Sequence, residues 1–201
     1  MREMINYRDY LVERLADCEE ATVYLEVSKE EYQKDGDTVA FLLALQSIVE
    51  AQAKNTELAS QVYLLSGEVH RARCEFDWAI EDYNKVIDMN PDNVEAYYNR
   101  GVTYHHKGNY DRAIEDYTKT IQLKPDYANA YYNRGLSFDN KGASARAIED
   151  FTRVIQLDPN DAGAYFNRGL ASRDEEDMTE AIRLLFSGSK GRLTALSQAI
   201  T

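Results

Sequence analysis

From Val94 onward the order of apolar and polar positions repeats every 34 residues. Val94–Tyr127 and Ala128–Asp161 share 18 of 34 residues, including Ala-Tyr-Tyr-Asn-Arg-Gly, Arg-Ala-Ile-Glu-Asp and Ile-Gln-Leu. Inside one repeat, Tyr97, Gly101 and Tyr104 fall at spacings of four and three and therefore share one face of a first helix. Gly101 leaves room there for a neighbouring helix. Gly108-Asn109 ends this helix, because glycine accepts the left-handed conformation that closes a last turn. A second helix is predicted over Tyr110–Leu123, where Ala113, Ile114, Tyr117 and Ile121 form an apolar stripe. Neither helix covers its stripe alone, so each repeat must stack on the next. Pro91, Pro125 and Pro159 stop the second helices at the same place each time.

The frame extends in both directions, with glycine at Gly67, Gly101, Gly135 and Gly169 and alanine-isoleucine at Ala79-Ile80, Ala113-Ile114, Ala147-Ile148 and Ala181-Ile182. Four repeats follow, over 60–93, 94–127, 128–161 and 162–195, with a tail at 196–201. The predicted fold is all-α: a right-handed helical solenoid of helix pairs, preceded by a small helical segment over 1–59. The first repeat carries Cys74 in place of the turn glycine and Ser66 in place of an arginine. In the fourth, Glu176 stands at the turn glycine, Gly188 interrupts the second helix and the pattern fades after Leu185. Residues 187–201 read either as a polar cap or as a frayed tail.

The pattern of Tyr97, Gly101, Tyr104, Ala113, Tyr117 and Pro125 resembles the tetratricopeptide repeat family. That resemblance implies a non-catalytic adaptor that holds a protein or peptide segment in a groove. Members that grip extended peptides use a row of asparagines, which falls here on Asn99, Asn133 and Asn167. Each amide offers two donors and an acceptor to a guest backbone; the alternative is that these residues only bond neighbouring helices. Tyr98, Tyr132 and Phe166 precede them and either flank the same groove or stack within the core. Arg100, Arg134 and Arg168 coincide with Asp82, Asp116 and Asp150 in the second helices, where an arginine fork on a carboxylate would stitch helices together. The clamp for a C-terminal carboxylate found in some members needs Lys and Arg beside the asparagines, whereas Glu95 and Asn129 stand there.

Residues 5–59 read as three or four amphipathic helices, with Asp17, Asp37 and Asn55 or Thr56 as N-caps and Asp35-Gly36 as a break. The run through Tyr10-Leu-Val-Glu-Arg-Leu, Glu19-Glu-Ala, Tyr24-Leu-Glu, Phe41-Leu-Leu-Ala-Leu and Thr56-Glu-Leu-Ala resembles the front half of addiction-module antidote proteins. The resemblance implies a second function, an antitoxin-like regulator whose N-terminal segment binds a toxin or a regulatory partner. It stops at Ala59, and no basic recognition helix follows.

Composition narrows the partners. The chain of 201 residues has a net charge of −12, and residues 1–59 carry 6 Lys/Arg against 13 Asp/Glu. Binding to nucleic acid or to an anionic membrane is therefore disfavoured, and a basic protein or peptide is favoured. Weak terminal repeats also allow association between copies. The two cysteines, Cys18 and Cys74, form neither a disulfide framework nor a zinc signature, which fits a reducing cytoplasm. His105 and His106 point about 100° apart on a helix and do not share one ion, so a solvated helix end is expected. With no nucleophile beside a base and no phosphate-cradling loop, no enzyme, metal or cofactor is expected.

Overall fold

The computed structural model describes residues 11, 14–51 and 56–185, and among these the regular elements are all helices. Contacts divide the chain into one unit ending at Thr103 and a second beginning at Tyr104.

In the first unit, α1 (Cys18–Asp35) begins where Asp17 Oδ1 accepts from the Glu19 and Glu20 amides, at 2.9 and 3.1 Å. It ends at Gly36, whose φ of 71° is the left-handed conformation expected of the break. Asp37 caps α2 (Thr38–Ala51) through the Val39 and Ala40 amides. Both aspartates act as the sequence predicts, whereas the third predicted cap, Asn55 or Thr56, lies outside the described residues except for the Thr56 backbone.

The next helices are α3 (Thr56–Ala72), α4 (Phe76–Met89) and α5 (Val94–His106). The α3 helix runs straight through residue 60, the predicted start of the first repeat, and α2 packs on both α1 and α3. Leu25, Phe41, Leu45, Ile48, Leu58 and Val62 join the helices before the repeats to α3 in one buried core. Tyr32 stacks on Phe41 with centroids 4.9 Å apart.

The second unit holds α6 (Tyr110–Leu123), α7 (Ala128–Asn140), α8 (Ser144–Leu157) and α9 (Ala162–Ser172), followed by α10 over 175–185. The bounds of α6 match the predicted second helix residue for residue. Helices α4, α6 and α8 start at Phe76, Tyr110 and Ser144, 34 residues apart, as the repeat requires.

Small residues make these packings possible. A Cβ added at Gly135 would lie 2.9 Å from Phe151 Cε1, and one at Gly67 only 2.6 Å from Tyr83 Cε1. Both rings sit 16 residues after their glycine and are fully buried. Burial pushes the Tyr83 phenol up to about 12.

Two departures from the 34-residue frame appear. Cys74 takes φ 61° at the register of Gly108 and Gly142, so an exposed non-glycine residue holds the turn of the first repeat. In the fourth repeat the turn comes early. Arg173 adopts φ 60° and closes α9 after 11 residues, and Asp174 Oδ1 then accepts from the Glu176 amide to start α10. Glu176 is therefore helical and not the turn residue that the frame implied. Gly169 faces Met178, nine residues on, where Gly135 faces Phe151, sixteen residues on. The second helix of this repeat thus starts three residues early and its packing contacts shift by seven, so Ala181-Ile182 do not occupy the place of Ala147-Ile148. Gly188 and the cap-or-tail segment 187–201 lie outside the described residues.

Candidate functional site

The candidate residues occupy the first helix of each repeat, one turn from its start. In the first unit, Tyr98 is half-buried and Asn99 is only 7% exposed, so Asn99 is largely withdrawn from solvent. In the second unit, Tyr132, Asn133 and Asn167 are half-buried, and Phe166 is 47% exposed.

The structure brings Tyr132 and Asn167 together. The Asn167 amide donates to the Tyr132 hydroxyl at 2.7 Å, tying α7 to α9. The Tyr132 ring packs edge-on against Phe151, with centroids 5.8 Å apart. Burial, followed by the charge of Asp161, raises its phenol pKa. Gly163 lets α9 approach this hydroxyl, because a Cβ there would sit 3.0 Å from it. Tyr132 and Asn167 therefore bond neighbouring helices, while Phe166 and Leu170, one turn apart on α9, turn apolar surface to solvent.

A concavity lies at the same register in the first unit. A cavity of about 250 Å³ is lined by Leu64 and Leu65, which precede Tyr98 and Asn99 by 34 residues, with Glu26, Lys29, Glu68 and Glu95 around them. Burial raises the pKa of Glu68, Glu95 raises it further, and Arg71 and Lys29 oppose them. The sequence pattern did not reveal this cavity, because α1, which supplies one wall, lies outside the repeat frame.

The arginines connect helices. Arg134 forks onto Asp150 through Nε and Nη2 at 2.9 and 2.7 Å, and its Nη1 reaches Thr118 on α6. Arg168 does the same with Asp177 and Thr152, and Arg100 reaches Asn84. Ser66, which replaces the arginine in the first repeat, still bonds Asp82 at 2.6 Å, with His70 Nδ1 on the same carboxylate at 2.9 Å. These contacts fit the stitching role. The pairing read from the sequence needs correction, however: Arg134 takes Asp150 of its own repeat and not Asp116, and Arg168 takes Asp177 and not Asp150, since the early turn at Arg173 brings Asp177 opposite it.

The expected solvated histidine pair needs correction. His106 is exposed, but His105 is half-buried, bonded to Ser137 Oγ at 2.8 Å and packed edge-on against Tyr110. Burial lowers its pKa, and His106 lowers it further. Among the described residues no group of His, Cys, Asp or Glu is arranged to hold a metal ion, and no helix is long and apolar enough to cross a membrane.

Comparison with known proteins supports the repeat reading. The tetratricopeptide repeat model matches residues 94–127 and 128–161, and a second model of the TPR repeat matches 67–108. The chain therefore carries tetratricopeptide repeats, and its fold is a TPR-like helical repeat. A crystal structure of MamA matches at 27% identity and a TM-score of 0.68, over 82% of this chain and 87% of that one. MamA from Desulfovibrio magneticus RS-1, at 20% identity and a TM-score of 0.68, covers 87% of this chain and 96% of its own length and shows likeness of fold. The first TPR of Spaghetti (RPAP3), bound to the HSP90 peptide SRMEEVD, matches at 26% identity and a TM-score of 0.55, over 57% of this chain and 90% of that one. No match is found among curated proteins. The antidote-like resemblance of residues 5–59 gains no support, and a match over 82% of the chain takes in part of that segment as helical-repeat fold.

Proposed function

We propose that this protein is a non-catalytic interaction scaffold whose first helices hold a basic, extended segment of a partner protein. The observation that carries this reading is the coincidence of register: the cavity at Leu64 and Leu65 and the exposed Phe166 occupy equivalent places in the first and last repeats. Glu26, Glu68 and Glu95 outnumber Lys29 around that cavity, which favours a cationic side chain there. The likeness to a TPR bound to a peptide supports a segment as the form of the partner. Tyr98, Tyr132 and Phe166 supply apolar contact with little loss of side-chain entropy, while Asn167 ties α9 to α7 through the Tyr132 hydroxyl. The setting proposed is cytoplasmic.

Photo-crosslinking tests this reading. Benzoylphenylalanine at position 166 or at 64 should crosslink one and the same partner, whereas the same group at Arg153, exposed on a second helix, should not. Crosslinking from Arg153 alone would move the binding surface to the second helices.

A further inference from the structure

A second cavity, of about 640 Å³, lies in the first unit between α2, α3 and α4 and shares no lining residue with the acidic one. Its walls include Val39, Leu42, Leu43 and Val49 from α2 and Trp78 from α4. Trp78 is 61% exposed and Leu43 58%, and Val39 is similarly open. Three large apolar side chains around one mouth exceed the scattered exposure of an ordinary surface.

The polar side of the cavity is organised. Asp82 accepts from Ser66 Oγ at 2.6 Å and lies 2.9 Å from His70 Nδ1, with Lys85 Nζ at 3.8 Å. A carboxylate in that place keeps the proton of a neutral imidazole on Nδ1 and leaves Nε2 as an acceptor. Glu75 Oε2 stands 3.9 Å from Nε2, beyond hydrogen-bond reach. The lining charges already have partners: Arg73 is on Glu75 at 2.9 Å, and Lys85 lies near both Glu81 and Asp82. In a chain of net charge −12 this lining, with Arg73 and Lys85 against Glu75 and Asp82, sums to zero.

We propose that this cavity binds a small, uncharged, mainly apolar molecule bearing one hydrogen-bond donor, which His70 Nε2 accepts. The volume lies within the range of about 300–1,000 Å³ typical of small-molecule sites. A charged ligand would have to break an existing ion pair or stay unpaired against Leu42 and Val49, and either is unfavourable.

N-phenyl-1-naphthylamine is a suitable probe: it is uncharged, carries a single N–H donor and absorbs where tryptophan emits. Trp78 is the only tryptophan in the chain, so its quenching reports this cavity. Saturable one-to-one quenching is expected. Leu43→Asp, at an exposed position, should weaken it by about ten-fold or more without changing the circular dichroism spectrum. His70→Phe, which keeps apolar volume and removes the acceptor, should also weaken it, and anionic 8-anilinonaphthalene-1-sulfonate should bind less tightly than the neutral probe. Unsaturable quenching, equal affinity in Leu43→Asp, or tighter binding of the sulfonate overturns the proposal. So does a sedimentation coefficient that rises with concentration in wild type but not in Leu43→Asp, which would give the cavity to a second copy of the chain.

Discussion

The Asn167 amide and the Tyr132 hydroxyl meet at 2.7 Å, joining α9 to α7 in the second unit. Half-buried polar groups bonded to each other are worth more together than apart. In urea unfolding, Asn167→Ala and Tyr132→Phe should each destabilise, with a coupling of about 0.5–1.5 kcal/mol in a double-mutant cycle. Strictly additive changes would release Asn167 from its structural role and return it to a guest backbone.

Close approach at Gly135 sets a second expectation. A Cβ there meets the buried Phe151 ring at 2.9 Å, so Gly135→Leu should destabilise by at least about 1–3 kcal/mol through overpacking. Shortening the ring by Phe151→Leu in the same chain should recover part of that loss. Coincident urea midpoints for wild type and Gly135→Leu would contradict the helix register.

The Arg134–Asp150 pair predicts a pH dependence. Burial is the largest influence on Asp150 and raises its pKa, while Arg134 lowers it. A carboxyl whose folded pKa lies above its unfolded value of 3.8 binds more protons in the folded state, so its contribution falls as pH rises through that window. Arg134→Met removes the opposing cation and leaves a buried carboxylate alone, which costs about 3–5 kcal/mol. The loss should be larger at pH 7 than near pH 4, and Asp150→Asn in the same chain should relieve it. A loss independent of pH would show that Arg134 acts by packing alone.

Which of these features the sequence exposes depends on how local their causes are. The helix bounds of α6 and the caps at Asp17 and Asp37 follow from periodicity and side-chain chemistry within their own stretch of chain, whereas the sequence marks Arg134 for a carboxylate but leaves its choice of Asp150 over Asp116 to the packing of the helices. The fourth repeat is different: a left-handed Arg173 has no signature comparable to glycine, and it displaces Asp177 and Met178 into places that the frame assigned elsewhere. His105 looked solvated because its partner, Ser137, lies 32 residues away. The two cavities described above need α1 or α2, which the repeat frame does not include.

His105 yields the opposite pH sign. Its folded pKa is lowered below 6.5 by burial and by His106. The unfolded chain therefore takes up the proton first, and stability present above the unfolded value is lost as pH falls below it towards the folded value. His105→Gln should flatten this part of the stability curve while its side chain still reaches Ser137. An unchanged slope would exclude His105 as its source.

The central claim, that a partner segment lies along the first helices, is tested most directly by calorimetric titration of Phe166→Asp with the crosslinked partner, beside a thermal melt. Phe166 is 47% exposed, so the melting temperature should stay close to that of wild type, while affinity falls by about ten-fold or more as a charge enters the apolar contact. Unchanged affinity at an unchanged melting temperature would contradict the claim.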